Sequence, residues 1–183
     1  MSAGPGICGL EASGFEARSF EPVYREDARV LILGSMPGVA SLAAGQYYAH
    51  PRNAFWPIMG VLFDAGPELP YPERLARLLD ARIALWDVIG RCQRVGSLDS
   101  AIATDSIEAN DLPGLFAACP GLTHVFFNGS AAEAAFRKHI GPACTRQDLT
   151  LTRLPSTSPA HAALGLADKL AAWQAVRIHL TES

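Results

Sequence analysis

What the chain lacks narrows it first. No apolar run approaches the roughly 20 residues that cross a bilayer. The opening stretch MSAGPGICGL has no positive region followed by a long apolar one, so no secretory signal is read and the cytoplasm is the expected compartment. Cysteine is scarce and scattered. Cys8, Cys92, Cys119 and Cys144 form no CxxC pair and have no histidine at metal-ligand spacing, which leaves ordinary thiols and no metal site. Excess positive charge is missing too. A formal charge of -3 and a pI near 5.9 exclude a protein coated in basic residues that binds nucleic acid indiscriminately, while leaving room for a local basic groove. Three signatures of phosphate or nucleophile chemistry are absent: GxxxxGK[ST], GxGxxG and GxSxG. Nucleotide triphosphates, dinucleotides and a serine nucleophile elbow are disfavoured accordingly.

What is there fits one compact domain: 183 residues, 49% hydrophobic and 18% charged, enough for a sizeable core. Residues 1–20, rich in Gly, Ala and Ser, read as a loosely held lead-in, and 21–183 as the domain. RVLILG, from Arg29 to Gly34, is the short apolar run of a strand buried on both faces. NAFWPIMGVLF, from Asn53, carries apolar residues at helical spacing, with Pro57 suited to a first turn. PERLARLLD predicts a short helix, ARIALWDVI a second strand, Leu112 to Ala118 a helix and HVFFNG a third strand. Ser130 is the expected cap of SAAEAAFRKH, LTLTRL is the fourth strand, and Ala160 to His179 the closing helix. Strands alternating with helices predict an α/β fold, a three-layer α/β/α arrangement around a central, mainly parallel four-stranded sheet.

In such a sheet, ligands bind outside the carboxyl ends of the strands. Those ends carry GSMPG, then Asp87 with Gly90 and Arg91, then Asn128 with Gly129, then PSTSP. All are small or polar, which predicts one polar cleft. GSMPG reads either as a tight turn needing glycine or as a loop whose N–H groups approach a phosphate or a base. PSTSP reads as a doubly capped helix start, as a donor site for an anion, or as both. His50 and His161 flank the two loops and are read as structural residues or as site residues. Phe55 and Trp56 open an apolar helix face and belong to the core, whereas a loop could offer Tyr47 or Tyr48 to a ligand.

Taken in order, these motifs resemble the uracil-DNA glycosylase superfamily. GSMPG resembles its first motif and LPSTSP its second, and YYAHPRNAFW is similar to the segment after motif one in the mismatch-specific uracil/thymine glycosylases. With DVIGRCQRVGSLDSAI and HVFFNG, the likeness is to the hypoxanthine-DNA glycosylase (DNA-deoxyinosine glycosylase) branch, over roughly Arg29 to Leu180. Two departures stand out. Met36 occupies the position where most relatives hold a water-activating Asp or Asn, and a thioether can neither orient nor deprotonate water. Leu154 replaces the His or Asn that begins motif two in many relatives. Both argue against strong uracil excision.

The resemblance implies a monofunctional DNA glycosylase that removes deaminated bases by hydrolysis, hypoxanthine foremost, with uracil and xanthine as further substrates. It assigns Asn53 to positioning the attacking water, since an oxocarbenium-like cleavage needs only a weak, well-placed nucleophile. Tyr48 would stack on the extruded base, Asn128 would pair with its Watson–Crick edge, and Ser35 and Met36 would line the base site. Gly34, Gly38, Ser156, Ser158, Arg52, Arg91 and His161 would meet the DNA backbone. The wedge that enters the stack is sought between Pro159 and Leu164. No metal, organic cofactor or membrane is implied; the partner is DNA, single- or double-stranded, met by a monomer. No lysine near either loop offers a Schiff base. Two other readings stay open at this level: a binding module that has lost its chemistry, motivated by Met36, and a hydrolase of free nucleosides or small esters.

Overall fold

The apolar runs become central strands. A computed structural model of the protein describes residues 14–181. Strands β2 (Val30–Gly34) and β3 (Ile83–Asp87) are buried along their whole length. Successive side chains of a strand point to opposite faces, so full burial means that both faces are covered. With β6 (His124–Asn128) and β7 (Thr150–Leu154) they form a four-stranded sheet in the order β3-β2-β6-β7. All three pairings are parallel. The expected architecture, a layered α/β/α fold on a parallel sheet, is the one observed.

Helices α1 (Val39–Ala44), α2 (Phe55–Phe63) and α3 (Tyr71–Asp80) lie between β2 and β3. Helices α4 (Leu112–Ala118), α5 (Ser130–His139) and α6 (Leu166–Thr181) follow in the second half of the chain. The core gathers Leu31, Ile32, Leu33, Phe55, Ile58, Met59, Phe126, Phe127 and Trp173, all fully buried. No helix among the described residues is long and apolar enough to cross a membrane.

A second sheet departs from the sequence reading. Strands β1 (Phe15–Arg18), β4 (Ile89–Arg94) and β5 (Glu108–Ala109) form an antiparallel sheet in the order β1-β4-β5. The lead-in expected over residues 1–20 is therefore ordered from Phe15 onward; residues 1–13 lie outside the described residues. Pairing with β4, burial of Ala17 and the Arg94 guanidinium over the Phe15 ring at 5.8 Å fix it. Two smaller expectations also shift. Gly129, at φ 96°, is the N-cap of α5, and Ser130 opens the helix without a capping bond. The closing helix begins at Leu166 rather than Ala160, because Pro159 and the turn bonds of the serines before it hold that segment out of helix.

Candidate functional site

Strand order locates the cleft. From β2 the chain moves to β3 on one side, and β6 lies on the other, so the connections leave β2 in opposite directions. That reversal opens a crevice at the carboxyl ends, where open α/β sheets bind ligands. The cleft holds a cavity of about 150 Å³ that opens to solvent at its mouth. Its lining combines Gly34 through Gly38 with Tyr47, Tyr48, His50, Asn53, Asp87, Asn128 and Ser156 through Pro159.

The end of the sheet forms a row across the floor. Gly34 pairs with Asp87, Asn128 pairs with Leu154, and Gly34 follows the pair Leu33–Phe127. Asp87, Gly34 and Asn128 thus stand side by side. A Cβ at Gly34 would collide with Asp87 Oδ1 and would sit 3.2 Å from the Tyr48 hydroxyl. Glycine here gives the two polar groups their room.

The loops are pinned. Asn128 Oδ1 accepts from the Thr157 N–H and its Nδ2 donates to Thr157 Oγ1, each at 2.9 Å. This pair of hydrogen bonds fixes the amide's orientation and leaves one N–H and one oxygen lone pair for a ligand. The Ala54 N–H donates to the Thr157 carbonyl at 3.0 Å, tying the PSTSP loop to the start of α2. Tryptophans do the rest. Trp173 Nε1 donates to the Pro155 carbonyl at 3.0 Å and Trp56 Nε1 to the Tyr47 carbonyl at 2.8 Å. Trp86 Nε1 donates to the Phe20 carbonyl at 2.8 Å.

The residues singled out in sequence divide into two groups. Asn53 lines the cleft half-buried; its Oδ1 accepts from the Phe55 N–H at 3.0 Å, an Asx turn that orients the side chain and leaves its NH₂ and a second oxygen lone pair unused. Tyr48 lies in the cleft with one ring face against Phe55, centroids 4.0 Å apart, and with φ at 55°, a conformation that non-glycine residues hold only where surroundings enforce it. Burial raises its hydroxyl pKa, while Asn128 acts the other way. Ser35 donates to Asp99 Oδ1 at 2.6 Å. Ser156 Oγ accepts from the Ser158 N–H and Ser158 Oγ from the Ala160 N–H, both at 3.2 Å, so their hydroxyl protons remain free for an anion. Gly34, Met36 and Gly38 line the cleft as expected, Met36 being 7% exposed. His50 does too; its Nδ1 accepts from the Arg52 N–H at 3.1 Å, which puts the proton of the neutral ring on Nε2.

Three residues fall outside the lining. Arg52 is exposed at the adjacent turn, beyond the lining but close to its rim. His161 is exposed, and its carbonyl accepts from Lys169 Nζ at 2.9 Å. Arg91 stands further off: the chain turns into the antiparallel sheet after Val88, and Arg91, in β4 of that sheet, is held by Glu108 and by Glu16 at 3.8 Å.

Two carboxylates join the lining: Asp99, which sequence reading had not singled out, and Asp87, which it set at a strand end without a role. Asp99 comes from a 3-10 turn after β4 and its pKa is raised by burial. Asp87 ends β3 and is 3% exposed, with burial pushing it up to about 7 against the pull of Ser19. Its strand-end position was the one signal available.

The geometry is that of a polar pocket, with two amides, a phenol and the buried Asp87 carboxyl on the floor and serine hydroxyls at the rim. Comparison with known proteins agrees. The sequence model of the Uracil DNA glycosylase superfamily matches residues 21–177. A protein of Methanosarcina acetivorans named "Hypoxanthine DNA glycosylase" is 39% identical over 116 residues, 63% of this chain and 72% of that one. One of the same name from Methanosarcina barkeri is 38% identical over 113 residues, 61% and 70% respectively. The solution NMR structure of a candidate uracil DNA glycosylase from Methanosarcina acetivorans superposes with a TM-score of 0.75 at 33% identity, covering 91% of this chain and 99% of that one. The chain therefore belongs to the uracil DNA glycosylase superfamily.

Proposed function

We propose that the protein is a monofunctional DNA glycosylase that hydrolyses the N-glycosidic bond of deaminated nucleotides, hypoxanthine foremost. The observation that carries this reading is convergence. Asn53 and Tyr48, from the segment after motif one, and Asn128, from the end of β6, meet in one cleft with both motif loops. The names of the Methanosarcina relatives support the choice of base.

The nucleotide would leave the duplex and enter between the loops, which costs a few kcal/mol, less at a mismatch. Asn53, steadied by its bond to the Phe55 N–H, would hold water against the anomeric carbon through its remaining polar sites. Met36 keeps that side of the pocket apolar, so positioning rather than basicity drives attack. Tyr48 and Asn128 would hold the base. Ser35, Gly38, Ser156 and Ser158 would hold the phosphates, with Arg52 at the rim. The substrate is double- or single-stranded DNA, acted on in the cytoplasm by a monomer.

The assay is incision of oligonucleotides carrying deoxyinosine, uracil or xanthine opposite each normal base. Excision of hypoxanthine is expected, with Asn53→Ala slower by roughly a hundredfold to a thousandfold. Intact DNA in every context, from folded protein, defeats the activity; an unimpaired Asn53→Ala defeats only that residue's role. Met36, apolar in the cleft wall, also motivates a second reading, a module that binds damaged DNA without cutting it. Specific binding with no excision after long incubation would select it.

A further inference from the structure

Arg94 ends β4 behind the motif-one loop, and it is buried without a counter-charge. Its residue is 1% exposed, and its guanidinium lies over the Phe15 ring at 5.8 Å. Nη2 donates to the Pro37 carbonyl at 2.6 Å. Nε and Nη1 are sealed from solvent and meet no acceptor among the described residues. Burial lowers its pKa, and Cys92, Asp99 and Asp87 pull the other way without forming an ion pair with it. A guanidinium stays charged all the same. The backbone here is not slack: Arg94 stands opposite Phe15 on one side and bridges to Ile102 on the other. An unpaired cation taken out of water costs stability, so its retention beneath a ligand-binding loop calls for a reason.

The chain from Arg94 to Asp99 grips the motif-one loop at every second residue. Ser35 donates to Asp99 Oδ1, the Pro37 carbonyl accepts from Arg94, and the Val39 N–H donates to Ser97 Oγ at 2.9 Å. Only Arg94 brings positive charge. The Gly38 N–H stays unused: it has no partner among the described residues, and Gly38 lines the cleft. That N–H and the Pro37 carbonyl belong to one peptide unit. In a trans peptide the two point in opposite directions, and no described peptide bond is cis. A guanidinium that draws the carbonyl inward therefore turns the N–H outward, to the cleft side. It also polarises that N–H, since hydrogen bonds joined in a chain strengthen one another.

An anion answers this arrangement. A neutral base edge would leave the buried charge unmatched, whereas a phosphate one peptide unit away supplies the missing negative charge. On the reading of the cleft as a DNA glycosylase site, we propose that Arg94 is a positioning residue for the substrate strand. Its guanidinium holds the Pro37 carbonyl so that the Gly38 N–H meets a phosphate beside the extruded nucleotide, and its charge balances that phosphate from beneath the loop. Arg94 itself does not touch DNA. Burial keeps its charge from being screened by salt, as a charge at the rim would be.

The test pairs a protein variant with a neutral phosphate. Duplexes carry 2'-fluorodeoxyinosine, which resists hydrolysis, and a single methylphosphonate at each flanking phosphate in turn. In the unaltered protein one such replacement weakens binding roughly tenfold, the size of a lost charge-assisted hydrogen bond. Arg94→Met weakens binding of the unmodified duplex by a similar factor and makes that replacement nearly silent, so the two losses do not add. Arg94→Lys, which keeps the charge, restores most of the affinity and the sensitivity to that phosphate. A merely structural role would lower affinity by one factor for every duplex. Such additive losses, full affinity in Arg94→Met, or a lysine variant no better than the methionine one overturn the proposal. Should Arg94→Met fail to fold, Arg94→Gln, which keeps a donor but no charge, takes its place: a silenced phosphate upholds the role and additive losses overturn it. Excision assays run in parallel separate the two readings. Excision of hypoxanthine with additive losses removes the role of Arg94 and leaves the activity standing. Non-additive losses without excision uphold Arg94 and defeat hydrolysis, and failure to bind any of the duplexes defeats both.

Discussion

At the scale of a residue, the smallest side chain on the cleft floor carries a large consequence. Gly34 has an ordinary strand environment, so backbone freedom does not explain it; crowding does. A methyl group there meets Asp87 Oδ1 and the Tyr48 hydroxyl, and neither can retreat, one being tied to Ser19 and the other stacked on Phe55. Gly34→Ala is expected to destabilise the fold by about 1–3 kcal/mol, as overpacking does, and to lower base binding beyond that. Urea unfolding alongside titration with deoxyinosine DNA checks both. Asp87 itself shows what a sequence withholds. Its strand-end position was legible, but Ser19 lies 68 residues away, and the burial that pushes its carboxyl up to about 7 is a fact of three dimensions.

At the scale of elements, the strands with continuous apolar runs were legible because burial on both faces writes itself into every residue. VLILG and IALWD became β2 and β3. The second sheet was not legible. IGRCQR, in β4, alternates between buried and half-exposed positions without a clean period of two, and β5 has only two residues. Its misreading set Arg91 among the central strand ends, whereas the residue lies in β4 of the second sheet. Asn53, Tyr48 and Asn128 were legible as cleft residues since each sits at a strand end or in the loop segment that follows one. The PSTSP loop adds a testable joint. Trp173 is fully buried, and its indole N–H is the donor that meets the Pro155 carbonyl. Trp173→Phe keeps an aromatic ring but leaves that carbonyl short of a partner, which is expected to lower unfolding free energy by about 1–3 kcal/mol and to weaken DNA affinity through the loosened loop. Denaturant titration and a binding isotherm measure the two effects.

At the scale of the whole molecule, the buried acid links stability to pH. The Asp87 carboxyl titrates at the ordinary value of 3.8 when unfolded and at about 7 when folded. A folded-state value above the unfolded one means that the folded protein binds the proton more tightly. Its stabilising share is complete below pH ~4 and fades as pH rises through about 7. The unaltered protein should therefore lose on the order of a few kcal/mol relative to Asp87→Asn between pH 4 and pH 8. Asp99, also raised by burial, pushes in the same direction in both proteins and cancels in the comparison. Unfolding free energies of the pair, measured across that range, give the difference directly; a difference constant with pH contradicts a buried neutral Asp87.

The three indoles give the molecule a built-in optical reporter. The chain holds three tryptophans in all, and the N–H groups of two of them, Trp56 and Trp173, are tethered to carbonyls at the base of the loops that frame the cleft. Any DNA that spreads those loops must stretch or break these tethers, so the protein's own emission spectrum should register the arrival of a nucleotide without a label being attached.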